Sequence, residues 1–123
     1  HETLIARVPQ LLDSTQQAIS EGRVHPMVLA ARFHGFFEYL HPFRDGNGRI
    51  GRLFSNFILH KAGHPIVIIR QENKGEYIHA LRCIRTERTD EHLIAFFFRM
   101  AIERMQREME EKKSGTKLMS FLF

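Results

Sequence analysis

The chain has 123 residues, 43% of them hydrophobic and eleven of them phenylalanine, which is enough apolar surface for the core of one domain. Its 18 basic and 14 acidic residues give a net charge of +4, which favours anionic partners without choosing among them. A single cysteine excludes an internal disulfide and no apolar run is long enough to span a membrane, so we expect a cytoplasmic protein with no membrane contact.

Apolar periodicity predicts three helices in the first half of the chain. The first covers about residues 3–20, although Pro9 lies inside it and an interior proline kinks or restarts a helix. The second begins at Pro26, because proline suits the first helical position, and it ends before Pro42. The third begins near Asn47 and is stopped by Gly63.

The sequence of the second half of the chain predicts two more helices. Residues 66–69 could form a short strand, but with no partner strand in the sequence we interpret them as buried extended chain. A fourth helix covers about residues 74–86, and a fifth begins at Asp90 as its cap. The sequence therefore predicts an all-α, single-domain fold with its core in residues 1–113 and a tail in residues 114–123.

A polar, glycine-rich loop, "HPFRDGNGRIGR", separates the second and third predicted helices. The backbone amides of residues 46–48 are expected at the N-terminus of the third helix, where unpaired N–H groups and the helix dipole favour phosphate. Arg49 and Arg52 are three residues apart, so both guanidinium groups can reach one anion. This combination indicates a polyphosphate site.

The same loop carries a candidate base and a candidate metal ligand. Asp45 offers the hard oxygen that Mg²⁺ prefers, and His41 is the residue type that accepts a proton from a hydroxyl near neutral pH. Each feature alone is also typical of an ordinary helix cap or turn. Their conjunction predicts phosphoryl or nucleotidyl transfer.

At these residues the chain resembles the Fic-domain family. "HPFRDGNGR" fits the family signature HPFx(D/E)GN(G/K)R at every specified position, and Arg52 matches the second arginine of many members. "KGEYIHAL" is similar to the family's RxxYYxAL segment, with Lys74 for the first arginine and Ile78 for the second tyrosine. The resemblance covers about residues 3–100.

The resemblance implies a Fic-like helical bundle with the active-site loop between two central helices. It also implies AMPylation, the transfer of AMP from ATP to a serine, threonine or tyrosine hydroxyl of a target protein. It assigns His41 as the base and Asp45 as the Mg²⁺ ligand. The phosphate-binding residues that it implies are Gly46, Asn47, Gly48, Arg49 and Arg52.

Two further positions bear on this reading. Tyr77 either lines the nucleoside pocket or packs under the loop. Gly48 stands where the phosphate-transferring branch of the family carries lysine, which favours transfer of AMP over kinase-like transfer.

The chain departs from the family pattern upstream of the motif and in its regulation. Nothing matches the earlier helix and the β-hairpin flap, and Gln17 and Ile68 occupy the serine or threonine position of the two possible inhibitory motifs. Three interpretations stay open: an unrestrained enzyme, an enzyme restrained by another segment or a separate antitoxin-like protein, or a fragment.

Two other functions also stay open. One is removal of AMP, or transfer of another phosphate-containing group, by the same loop. The other is a nucleotide-binding regulatory module without turnover. Nucleic acid is not expected as a partner, because the phenylalanines follow the core periodicity instead of alternating with basic residues.

We interpret the remaining histidines and the cysteine as residues with a structural role. His60 and His64 are four residues apart, but no third ligand accompanies them and zinc is not expected there. Cys83 is interpreted as a small core residue without a catalytic role. The other histidines are interpreted as capping, packing or surface residues: His25, His34, His79 and His92.

Overall fold

The computed structural model describes the backbone of residues 6–122 and the side chains of residues 6–115. Within that range the elements are α1 (Val8–Glu21), α2 (Pro26–Leu40), α3 (Asn47–Lys61), a 3-10 turn (Gln71–Asn73), α4 (Lys74–Thr86) and α5 (Glu91–Leu122). The described backbone contains no strand, which confirms the all-α prediction.

Prolines set the starts of the first two helices. Ala6 is helical, Arg7 is a turn residue with φ of −81° and ψ of −16°, and Pro9 lies in the first turn of α1, so the helix restarts next to this proline. The predicted start at residue 3 lies outside the described residues. Pro26 opens α2 as predicted, and His25 caps it because its Nδ1 accepts the Met27 N–H at 3.0 Å.

The end of α3 shows why Gly63 is a stop signal. Gly63 has φ of 79°, its N–H donates to the His60 carbonyl, and the His64 N–H donates back to the Leu59 carbonyl at 2.9 Å. This pair of bonds is the Schellman motif, which requires a left-handed residue after the helix.

Residues 66–69 are extended and unpaired with any strand, as predicted, but their burial is uneven. Val67 is buried and Ile68 is exposed. The amide of Asn56 takes the place of a partner strand, because its Oδ1 accepts the Val67 N–H at 2.8 Å and its Nδ2 donates to the Val67 carbonyl at 3.0 Å. One side chain therefore satisfies both polar backbone groups of the buried Val67.

The N-terminus of α5 differs in detail from the expectation. The Asp90 carbonyl accepts the Ile94 N–H, so Asp90 does precede the helix, but its carboxylate bonds Arg32 Nε at 3.1 Å. The Glu91 N–H donates to Thr89 Oγ1 instead. The backbone of α5 then stays helical through residues 114–122, so the expected tail continues this helix.

The core is built around α2, which contacts all four other helices. Its most extensive packing is against α3, the next helix in the chain, so the loop that joins these two helices is supported on both sides. No helix in the described range is long and apolar enough to cross a membrane. The side chains that are almost fully buried include Phe33, Phe37, Leu40, Leu59, Leu93 and Phe97.

Candidate active site

His41 ends α2 in an unusual backbone conformation. It has φ of 46° and ψ of 57°, and its N–H donates to the Phe37 carbonyl at 3.0 Å. A non-glycine residue in this left-handed region costs on the order of 1 kcal/mol, and such residues cluster at functional sites. The next residue, Pro42, is buried, so the exposed imidazole of His41 is attached to a fixed point of the core.

The side chain of Asn47 closes the loop. Asn47 is only 4% exposed, its Oδ1 accepts the Phe43 N–H at 2.9 Å, and its Nδ2 donates to the Phe43 carbonyl. The Phe43 ring lies 6.3 Å from that of Phe37. The side chain of Asn47 therefore shapes the loop, and only its backbone N–H is left to meet an anion.

The N-terminus of α3 presents a group of backbone N–H donors. Gly46 precedes the helix with φ of 77°, and no side chain caps this end within the part of the chain that the structure describes. The first intrahelical bond runs from the Ile50 N–H to the Gly46 carbonyl, which leaves the N–H groups of residues 47–49 without intrahelical acceptors. We call these three groups the amide cradle.

Asp45 and Arg49 lie at the exposed edge of the amide cradle. Asp45 Oδ1 accepts the Gly46 N–H at 2.8 Å, so that amide, which the sequence reading counted among the phosphate donors, is already bonded. Asp45 Oδ2 lies 3.9 Å from Arg49 Nη2, and the two side chains are 95% and 77% exposed. An ion pair between side chains this exposed contributes little to stability, so either side chain can leave it to contact a ligand.

Arg52 lies on the other side of the amide cradle, against Gly48 and Glu38. A Cβ built on Gly48 would stand 3.0 Å from Arg52 Nη1 and 3.3 Å from Glu38 Oε1. Partial burial raises the pKa of the Glu38 carboxyl, while the charges of His41, Arg52 and Arg85 oppose this shift. Glu38 Oε1 is buried without a hydrogen-bond partner within the described residues.

Tyr77 faces the interior, beneath the loop. It is 8% exposed, its hydroxyl lies 2.6 Å from His34 Nε2, and its ring packs 6.0 Å from that of Phe96. Burial raises the pKa of Tyr77 to about 12 and lowers the pKa of His34 to about 4. The pair is therefore neutral near pH 7. The burial of Tyr77 is what the packing interpretation expects, and its contact with a nucleoside stays a prediction.

An open cavity of about 320 Å³ adjoins the site. His41 forms part of its wall, and α2 and α4 supply the rest of the lining. The side chains that line it from these two helices include Glu38, Tyr39, Ile78, Leu81, Arg82 and Arg85. The cavity is therefore open to solvent and bordered by His41.

Sequence reasoning missed Glu38 and interpreted His34 only as a capping, packing or surface residue. Both lie on one face of α2 with His41, at positions 34, 38 and 41. Three ionisable residues at this spacing in a helix whose other residues are mostly apolar are a signal that could have indicated a polar face directed at the loop.

The structure thus shows a helical domain with a polar loop between α2 and α3, and this domain can be compared with known proteins. The model of the Fic/DOC family matches residues 3–59. The chain is therefore similar to the Fic family over the region that carries the motif, as the motif predicted. This resemblance and the all-α architecture are confirmed.

Curated relatives carry the name protein adenylyltransferase Fic. The protein from Drosophila grimshawi is 39% identical over 79 residues, which are 64% of this chain and 16% of that protein. The protein from Nematostella vectensis is 50% identical over 54 residues, 44% of this chain and 13% of that protein. The chain spans less than a fifth of the length of these relatives.

Two solved structures are similar over most of this chain. A Fic domain containing signaling protein from Bacteroides thetaiotaomicron superposes with a TM-score of 0.71 at 32% identity, over 81% of this chain and 41% of that one. Fic-1 from C. elegans superposes with a TM-score of 0.76 at 27% identity, over 86% of this chain and 33% of that one.

Proposed function

We propose that this chain carries the catalytic loop of a protein adenylyltransferase, which transfers AMP from ATP to a serine, threonine or tyrosine hydroxyl of a target protein. The observation that carries the proposal is the loop of residues 41–52, in which an exposed histidine, an amide cradle and two arginines are held together by the buried Asn47. The names of the curated relatives support the same reaction.

His41 acts as the base in this proposal. The target hydroxyl gives its proton to the imidazole as its oxygen attacks the α-phosphorus of ATP. The bond between the α-phosphorus and the bridging oxygen breaks, pyrophosphate leaves, and His41 releases the proton to solvent. His41 suits this role because it is exposed and borders the open cavity.

The amide cradle and the two arginines bind the phosphates. The N–H groups of residues 47–49 meet the phosphate oxygens at the positive end of the α3 dipole. Arg49 neutralises charge from the exposed side and Arg52 from the side of Glu38. Because Asn47 fixes the loop before ATP arrives, binding does not have to order it.

Asp45 fits the role of ligand for Mg²⁺. Its Oδ1 is oriented by the Gly46 N–H, which leaves the exposed Oδ2 at the edge of the amide cradle. Mg²⁺ usually binds one or two carboxylates together with phosphate oxygens and waters. When bound, it would neutralise negative charge on the phosphates.

The test uses ATP labelled on the α- or the γ-phosphate, Mg²⁺ and a cell lysate. We expect the label to enter protein from the α-phosphate only, and mass analysis to find an added AMP. His41→Ala should lower labelling by at least about 100-fold, the usual lower limit for loss of a general base. His60→Ala, which changes an exposed histidine outside the loop, is the matched control and should label normally.

Four results would contradict the proposal. Label from the γ-phosphate would indicate kinase-like transfer. Binding of ATP without labelling would support a regulatory nucleotide-binding module, and loss of AMP from a pre-modified protein without forward labelling would support de-AMPylation. Equal labelling by His41→Ala and the unchanged chain would exclude His41 as the base.

A further inference from the structure

A second cluster of reactive side chains lies where α4 ends and α5 begins. One ligand atom from each of His79, Cys83 and His92 lies within 4.8 Å of the other two. His79 and Cys83 are one turn apart on α4, and His92 lies in the first turn of α5. We propose that this cluster binds a zinc ion or a similar soft divalent cation.

The spacing of the first two ligands fits tetrahedral coordination. His79 Nε2 lies 3.6 Å from Cys83 Sγ. A nitrogen about 2.1 Å and a sulfur about 2.3 Å from a tetrahedral zinc ion are about 3.6 Å apart. These two side chains can therefore accept the ion with little rearrangement.

His92 and Glu87 complete the ligand set from the turn between the helices. The His92 and His79 rings meet edge to face, with centroids 5.6 Å apart. Glu87 Oε2 lies 3.7 Å from His92 Nε2, and the Glu87 N–H donates to the Cys83 carbonyl at 2.9 Å. The Glu87 carboxylate lies outside the cluster of the other three ligand atoms, so it has to turn toward the ion to supply the fourth ligand beside His92. Nitrogen and oxygen ligands of one zinc ion are separated by about 3.4 Å, close to the distance between Glu87 and His92.

Charge and burial suit a divalent cation. A thiolate from Cys83 and the carboxylate of Glu87 balance two positive charges, and the two imidazoles bind as neutral ligands. Cys83 is 3% exposed, while the side chain of His92 is 49% exposed. An ion therefore enters past the histidines to a sulfur that is shielded from solvent.

Binding is a ligand exchange without change of oxidation state. The cation loses bound waters, a bond forms to Cys83 Sγ, and the thiol proton passes to solvent. The ion would join the C-terminus of α4 to the first turn of α5 across a turn in which Arg88 has φ of 57°. It would thereby stabilise this corner of the fold.

The first measurement is a titration of the 123-residue chain, without an affinity tag, after removal of metals. Co²⁺ serves as the spectroscopic probe in a buffer with a reductant that is not a thiol. We expect thiolate-to-cobalt charge-transfer absorption that saturates at one ion per chain and disappears when Zn²⁺ is added. Zn²⁺ should also raise the Tm, because it binds the folded chain in preference to the unfolded one.

Variants separate this site from other metal binding. Cys83→Ser should abolish the charge-transfer absorption, and His92→Gln, on an exposed position where folding is not at risk, should weaken Co²⁺ binding at least tenfold. His60→Gln is the matched control and should bind normally. The proposal is overturned if millimolar Co²⁺ gives no thiolate absorption, if His92→Gln binds like the unchanged chain, or if His60→Gln weakens binding equally.

Discussion

The burial of His34 predicts a pH dependence of stability. The pKa of His34 is lowered from 6.5 to about 4, mainly by burial. The unfolded chain therefore takes up a proton at about pH 6.5 that the folded chain takes up only near pH 4. The contribution of neutral His34 to the free energy of unfolding is fully present above pH 6.5 and is lost as the pH falls to 4. At about 1.4 kcal/mol for each pH unit, the complete loss is about 3 kcal/mol, of which about 2 kcal/mol is gone at pH 5.

Urea unfolding followed by far-ultraviolet circular dichroism measures this loss. The free energy of unfolding is compared between the unchanged chain and His34→Gln from about pH 7 to about pH 5. Carboxyl groups titrate in both proteins, so the difference between the two free energies of unfolding isolates the effect of His34. We expect that difference to shrink by about 2 kcal/mol over this range.

A buried apolar substitution on the same helix provides the control. Phe33→Leu removes packing without removing a titratable group, so its difference from the unchanged chain should stay constant with pH. A constant difference for His34→Gln would refute the reasoning, because it would mean that His34 is protonated equally in the folded and unfolded chains.

Two pairs of substitutions test the packing of α3 and α4. Gly51→Ala should lower the free energy of unfolding by about 1–3 kcal/mol, because the new Cβ would stand 3.1 Å from Nδ1 of the fixed His34. Gly75→Ala meets nothing within 4 Å and should be neutral or stabilise by up to about 1 kcal/mol. Leu59→Ala, at a fully buried position, should cost about 2–5 kcal/mol, whereas Leu53→Ala, at a side chain 69% exposed, should change stability by less than about 0.5 kcal/mol. Urea unfolding measures all four, and a Gly51→Ala chain as stable as Gly75→Ala would contradict the close approach of α2 and α3.

The parts of the fold that sequence reasoning predicted well are those set by local chemistry. Pro26 fixes the start of α2 through its own ring, and Gly63 ends α3 because the chain needs a left-handed residue there. Residues 74–86 form a helix with the predicted bounds. In each case the determining interaction lies within a few residues along the chain.

The parts that sequence reasoning missed depend on contacts between distant segments. The Asn56 amide bonds the backbone of Val67, eleven residues away, and nothing in the local sequence indicates this. Likewise Cys83 and His92 belong to different helices, and only the turn between α4 and α5 brings them together. Residue types alone identified neither arrangement, because the sequence does not give the angle between the helices.

The geometry of the loop depends on the close packing of α2 against α3. His41 ends one helix and the amide cradle begins the other, so any shift between the helices changes the distance from the His41 side chain to the amide cradle. Gly51 permits the close approach, and the buried Asn47 fixes the intervening backbone. The bond between His34 and Tyr77 then ties α2 to α4 from the opposite side. If the proposed reaction holds, side-chain substitutions at these supporting positions should alter the rate of AMP transfer, because they change the position of His41 and leave its imidazole in place.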